Sequence, residues 1–86
     1  MNEEEIKAGR KADVLMKDEV FFAVIEKMRQ DQLYVFEFSK PEENSKRDMA
    51  WAMLRSIENF KSEVRKLSDN GKVAQRAIER ASKNLV

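Results

Sequence analysis

Ala50, Ile57 and Val64 recur every seven residues, and Met53, Phe60 and Leu67 repeat that interval three residues later. Spacings of three and four place such residues in one stripe along an α-helix, because 3.6 residues complete a turn. Held over three repeats, this is the a/d pattern of a helical seam, and Met49 and Leu54 widen it. Elsewhere the chain offers little to interrupt helix. Gly9, Gly71 and Pro41 are its only glycines and proline.

Four segments follow. The first runs from about Glu3 to Met16, with Asn2 as N-cap and Glu3, Glu4 and Glu5 at the positive end of the helix dipole. Its apolar positions, Ile6, Val14 and Leu15, are sparse, and Gly9 weakens its middle, so it should become ordered by docking. The second starts at Asp18, a good N-cap, and reaches about Phe38. Phe21, Val24, Ile25, Met28, Gln32 and Val35 share one face. Leu33 to Phe38 also reads as a strand, but no second strand-like run would pair with it, so helix is preferred.

Pro41, Glu42 and Glu43 suit the opening turn of a third helix, which starts between Glu42 and Ser45 and carries the heptad stripe. Asn70-Gly71 reads as its stop. Lys72 to Val86 forms a last segment, with Ala74, Ile78, Ala81 and Leu85 on one face. The expected fold is all-α: an antiparallel helical hairpin (about 18–38 and 42–70) with lighter N- and C-terminal helices, in a single helical domain over 1–86.

A chain of 86 residues buries only about 60% of its unfolded surface, so its own core is marginal. Small domains add a disulfide, a metal or a partner. Cysteine and histidine are both absent. That removes disulfides, zinc and iron–sulfur sites, thiol nucleophiles and the commonest acid–base residue. The six serines have no histidine to activate them. Adjacent acids such as Glu42 and Glu43 do not converge on a metal. No catalytic residue, cofactor or metal is expected, and the chain reads as a binding or assembling protein, not an enzyme. Association is the remaining source of stability, so an oligomer or a bound partner is expected.

The longest apolar run, Val20 to Ile25, is far short of the roughly 20 residues of a membrane span. The acidic start, Glu3-Glu4-Glu5, is unlike a signal peptide, which places the protein in a cytoplasm or inside a particle.

The seven large rings, Phe21, Phe22, Tyr34, Phe36, Phe38, Trp51 and Phe60, exceed what one narrow seam holds. Some should face outward as an interface. Phe22, Trp51, Met53 and Phe60 are the candidate protein-interface residues. Charge is divided as well: residues 1–45 carry a net −4 and residues 46–86 a net +5. Arg65, Lys66, Lys72, Arg76 and Arg80, with Lys83 nearby, are candidate nucleic-acid contacts through phosphate. The plainer reading is a solvated face with i,i+4 pairs Arg65–Asp69 and Glu79–Lys83, the two halves of the chain attracting each other.

Between about Ala8 and Lys72 lies an ordered set of features. Lys11-Ala12-Asp13-Val14-Leu15 is followed by Lys17-Asp18-Glu19-Val20-Phe21, then by a Phe36-x-x-Ser39-x-Pro41 turn. Arg47, Trp51 and Leu54 come next, then Phe60 and Leu67, and Asp69-Asn70-Gly71-Lys72 closes the set. In order and spacing the chain resembles a family of small, mostly uncharacterised helical proteins encoded in tailed-bacteriophage and prophage genomes. It departs from that pattern in the charged Lys40-Pro41-Glu42-Glu43-Asn44 loop. The resemblance implies a phage-encoded oligomerisation or assembly module, a minor virion or DNA-packaging-associated component, found in the host cytoplasm or the virion. Its partners would be further copies or a phage structural protein. Two alternatives stay open: a nucleic-acid-binding packaging or regulatory factor, and a small inhibitor of a host protein.

Overall fold

The computed structural model of the chain describes residues 2–84. Three helices make up its regular structure: α1 (Asn2–Lys17), α2 (Glu19–Phe38) and α3 (Asn44–Asn84). Glu3, Glu4 and Glu5 occupy the first turn of α1 and Lys17 its last, both favourable to the helix dipole. Asp18 separates α1 from α2, its N–H donating to the Leu15 carbonyl at 3.2 Å. The strand-like run Leu33 to Phe38 is helical. Its rings fit there because Tyr34 and Phe38, one turn apart, pack with centroids 4.4 Å from each other.

Between α2 and α3 the backbone makes a turn over Lys40 to Glu43, closed by the Glu43 N–H on the Lys40 carbonyl (2.9 Å), with Pro41 at its second position. The Glu43 carboxylate accepts from the Lys40 N–H (2.8 Å) and pairs with Lys46 (2.5 Å). These bonds, Lys46 first and Lys40 second, hold that carboxyl below the usual carboxylate range. Arg47 gathers the turn: Nη1 donates to Ser39 Oγ (3.0 Å) and the Lys40 carbonyl (2.6 Å), Nη2 to the Pro41 carbonyl (2.9 Å) and Asn44 Oδ1. Ser39 Oγ in turn donates to the Phe36 carbonyl (3.2 Å). Phe36, Ser39, Pro41 and Arg47 are thus physically one structure, with the planar guanidinium serving several acceptors at once.

The expected end of the third segment is corrected. Asn70-Gly71 stops nothing, and the boundary at 70 and the separate last helix are replaced by one helix, Asn44–Asn84. Neither glycine takes a positive φ. Gly71 is buried, and its missing side chain is used for packing instead of for a turn. Leu85, assigned to the apolar face of the last segment, lies outside the described residues. On that face Ala74 is buried, while Ile78 and Ala81 are exposed.

The heptad stripe is corrected as well. Its a positions form a buried line, with Ala50, Ile57 and Val64 between 1% and 8% exposed. Gly71, seven residues further, continues it. The d positions Met53, Phe60 and Leu67 are 39–47% exposed. Residues four beyond each a position, Leu54, Lys61, Ser68 and Gln75, are buried or half-buried. The helix therefore packs on its a/e side, and its d residues stand at the rim.

Two compact units divide the chain, one joining α1 to α3 from Ser62 onward, the other spanning Glu19–Lys61. In the first, the helices touch through small residues: Gly9 and Ala12 on α1, Ser68, Gly71 and Ala74 on α3. A Cβ added at Gly9 would lie 2.8 Å from Gly71 Cα and 2.9 Å from the Leu67 carbonyl oxygen. One added at Gly71 would lie 2.9 Å from Gly9 Cα and 3.0 Å from the Glu5 carbonyl oxygen. The backbones are in direct contact, which only glycine permits. The buried Ser68 hydroxyl donates to Asp13, and Arg10 Nη2 donates to Gln75 Oε1 at 3.4 Å. Val14 and Leu15, two of the sparse apolar positions of α1, are exposed. The glycine that weakens α1 in isolation is what seats it.

In the second unit, Ile25 is the buried residue of α2, with Ala50 and Ile57 buried on α3. Phe21, Gln32 and Val35 are half-buried, whereas Val24 of the expected face is 53% exposed.

Candidate protein-interaction site

Large side chains of α2 and α3 meet in the Glu19–Lys61 unit, and one side of the pair is open. The result is an apolar groove of about 320 Å³ lined by Phe21, Ile25 and Met28 of α2 and by Ser56, Ile57 and Phe60 of α3. Phe21 and Phe60 form its end, ring centroids 5.9 Å apart and planes at 47°. Ser56 has its one donor engaged, because Oγ donates to the Ala52 carbonyl at 3.0 Å. No charged residue lines the groove. Helical spacing puts Val24 and Met53 beside it, at 53% and 39% exposure.

Charges in this unit are paired locally. Lys27 meets Asp31 at 2.9 Å, Arg29 meets Glu26 at 2.9 Å, and Lys61 meets Glu58 at 3.6 Å. Arg29 and then Gln30 donate to the Glu26 carboxylate and hold its pKa down at about 2. Such exposed pairs orient side chains and add little stability.

The four candidate interface residues do not form one surface. Phe60 lines the groove and Met53 borders it. Phe22, 42% exposed, stands edge-on to Phe21 with centroids 6.1 Å apart. Trp51 precedes Met53 by two residues, about 200° round the helix. It is 60% exposed, with the Arg55 guanidinium 5.9 Å from its ring centroid, within cation–π range. Sequence reasoning missed the groove residues Phe21, Ile25, Met28 and Ile57 as a site, since their spacing reads simply as core. The signal was present in the surplus of rings.

The candidate nucleic-acid contacts are all exposed residues of α3. Lys66 pairs with Glu63 at 3.1 Å. Arg65, Lys72, Arg76 and Arg80 form no ion pair among the described residues, and neither Arg65–Asp69 nor Glu79–Lys83 is made. Glu79 accepts instead from Gln75 at 3.3 Å. Lys72 lies beside Arg10 and Gln75 along a 220 Å³ furrow next to the glycine crossing. Among the described residues no group of His, Cys, Asp or Glu could hold a metal, and no helix is long and apolar enough to cross a membrane.

Comparison with protein-family models, curated proteins and solved structures finds no match to the chain.

Proposed function

We propose that the chain is a non-enzymatic helical oligomerisation and assembly module, acting through the open apolar side of its Glu19–Lys61 unit. In this reading α2 and the first part of α3 serve as an antiparallel hairpin, supported by the Phe21–Phe60 contact and the Ser39–Arg47 bond. The observation that carries the proposal is the poverty of the chain's own core. No large side chain among the described residues is fully buried, and half of the buried apolar residues are alanines. Seventeen large apolar residues are exposed. Covering such surface is worth roughly 25 cal/mol per Å², so partner binding supplies the stability that the isolated fold lacks. Size-exclusion chromatography with light scattering at low and high salt tests this. A salt-resistant oligomer is expected, or a monomer that binds an apolar dye; a monomer that binds none removes the reading.

In this reading, which the resemblance in residue order and spacing supports, the module is a minor virion or packaging-associated component of a tailed phage. Mass spectrometry of purified particles and assembly intermediates checks that role, which absence from both would overturn.

A second reading, a nucleic-acid-binding packaging or regulatory factor, is favoured by Arg65, Lys72, Arg76 and Arg80, which form no ion pair among the described residues. It requires duplex retardation at low salt that weakens steeply as salt rises. No retardation at low salt would eliminate it.

A further inference from the structure

We propose that the partner on the groove is a second copy of this chain, so that the open sides of two Glu19–Lys61 units pack face to face. The inference rests on the assembly reading above and names its partner. Three observations support it. The first is area. Val24, Met28, Met49, Met53 and Phe60 are each 39–71% exposed and share that side by helical spacing. With ~200 Å² for a fully exposed large residue, they offer on the order of 500 Å². A stable interface takes about 800 Å² per partner, somewhat over half of it apolar.

The second observation is charge. The groove holds no charged side chain. A strongly charged partner would find nothing to pair with. The same apolar patch on a second copy matches it in polarity.

The third is shape. One surface carries both a 320 Å³ hole and, beside it, the protruding Val24 and Met53. An isologous interface needs hole and knob on the same patch.

Sedimentation equilibrium on the whole chain provides the test, alongside Ser56→Arg, Met28→Glu and Phe60→Glu. Ser56→Arg alters an exposed position, so its fold is preserved if either glutamate variant fails to fold. Mixed ¹⁴N and ¹⁵N protein carrying a photo-crosslinking residue at position 28 reports the contact. The expected result is a dimer, cross-links from position 28 to α2 or residues 49–60 of the other isotope, and self-association weakened at least about tenfold by Ser56→Arg with helix content unchanged. An oligomer indifferent to all three substitutions overturns the proposed face, and with it the assignment of assembly to the Glu19–Lys61 unit, while self-association itself remains. A monomer up to about 100 µM overturns the second copy; dye binding abolished by Ser56→Arg then marks the groove as open to a different protein. A monomer that binds no dye removes both.

Discussion

In the α1 unit the helices meet through Gly9, Ala12, Ser68, Gly71 and Ala74, whereas in the Glu19–Lys61 unit they meet through Phe21, Ile25, Ile57 and Phe60. Small residues let two backbones touch and leave no room for another atom. Large residues pack side chain against side chain, and between these two helices a trough stays open. The first contact should therefore fail when atoms are added, and the second when atoms are removed. The open side of the second is also where added volume should help.

Gly9→Ala separates these cases most sharply. Helix propensity favours alanine by about 1 kcal/mol, but the new methyl meets the Gly71 Cα and the Leu67 carbonyl. Backbone cannot rotate aside as a side chain can, so a net loss of about 2–3 kcal/mol is expected in urea unfolding, at the upper end of overpacking costs. A gain in stability would mean that the close crossing is not formed. Ile57→Ala, which removes atoms from the second contact, should cost about 2 kcal/mol. That is the low end for such truncations, because the groove already exposes one side of the site. A larger loss than that from Gly9→Ala would reverse the comparison.

Arg47→Ala should cost about 1–1.5 kcal/mol, since its donors serve the turn but stand near solvent. Amide exchange should quicken over residues 38–44 while the glycine crossing keeps its protection. Ser56→Leu, conversely, adds volume to the open groove and should tighten self-association severalfold, measured by sedimentation equilibrium, with little change in monomer helicity.

The smallest effect concerns pH. Glu26 has its pKa lowered from 4.5 to about 2 in the folded chain by Arg29 and Gln30. Its contribution is therefore complete above about pH 4.5 and fades as pH falls towards 2. Acid titration followed by circular dichroism should show a shallow loss of helicity in that window, and Glu26→Gln should flatten it. Glu43, held low by Lys46 and the Lys40 N–H, acts in the same direction at the turn.

Legibility in the sequence differed between the two regions. Leu33 to Phe38 could be read as helix because nothing else could pair with it, and Asp18 precedes α2 directly, whereas Pro41, expected in the opening turn of the third helix, lies in the turn before α3 begins at Asn44. The a positions could be found by counting sevens. Gly71 misled for a physical reason. Asn-Gly favours a left-handed stop when nothing competes, but here Gly9 offers a helix surface with no side chain, and packing decides the backbone. No local signal links residues 62 positions apart. The groove was visible only as an excess of rings, because pattern gives the side of a helix and not what covers it.

Helical secondary structure, the turn around Pro41, the absence of thiol and imidazole chemistry and the apolar surplus were determined by the sequence itself. Each depends on single residues or on spacings within one helix. Tertiary structure alone decided that Asn44–Asn84 is unbroken, that a/e positions are buried in preference to a/d, and that Gly9 and Gly71 touch. Those outcomes depend on which surfaces meet, and a glycine ends a helix or seats one according to the surface brought against it.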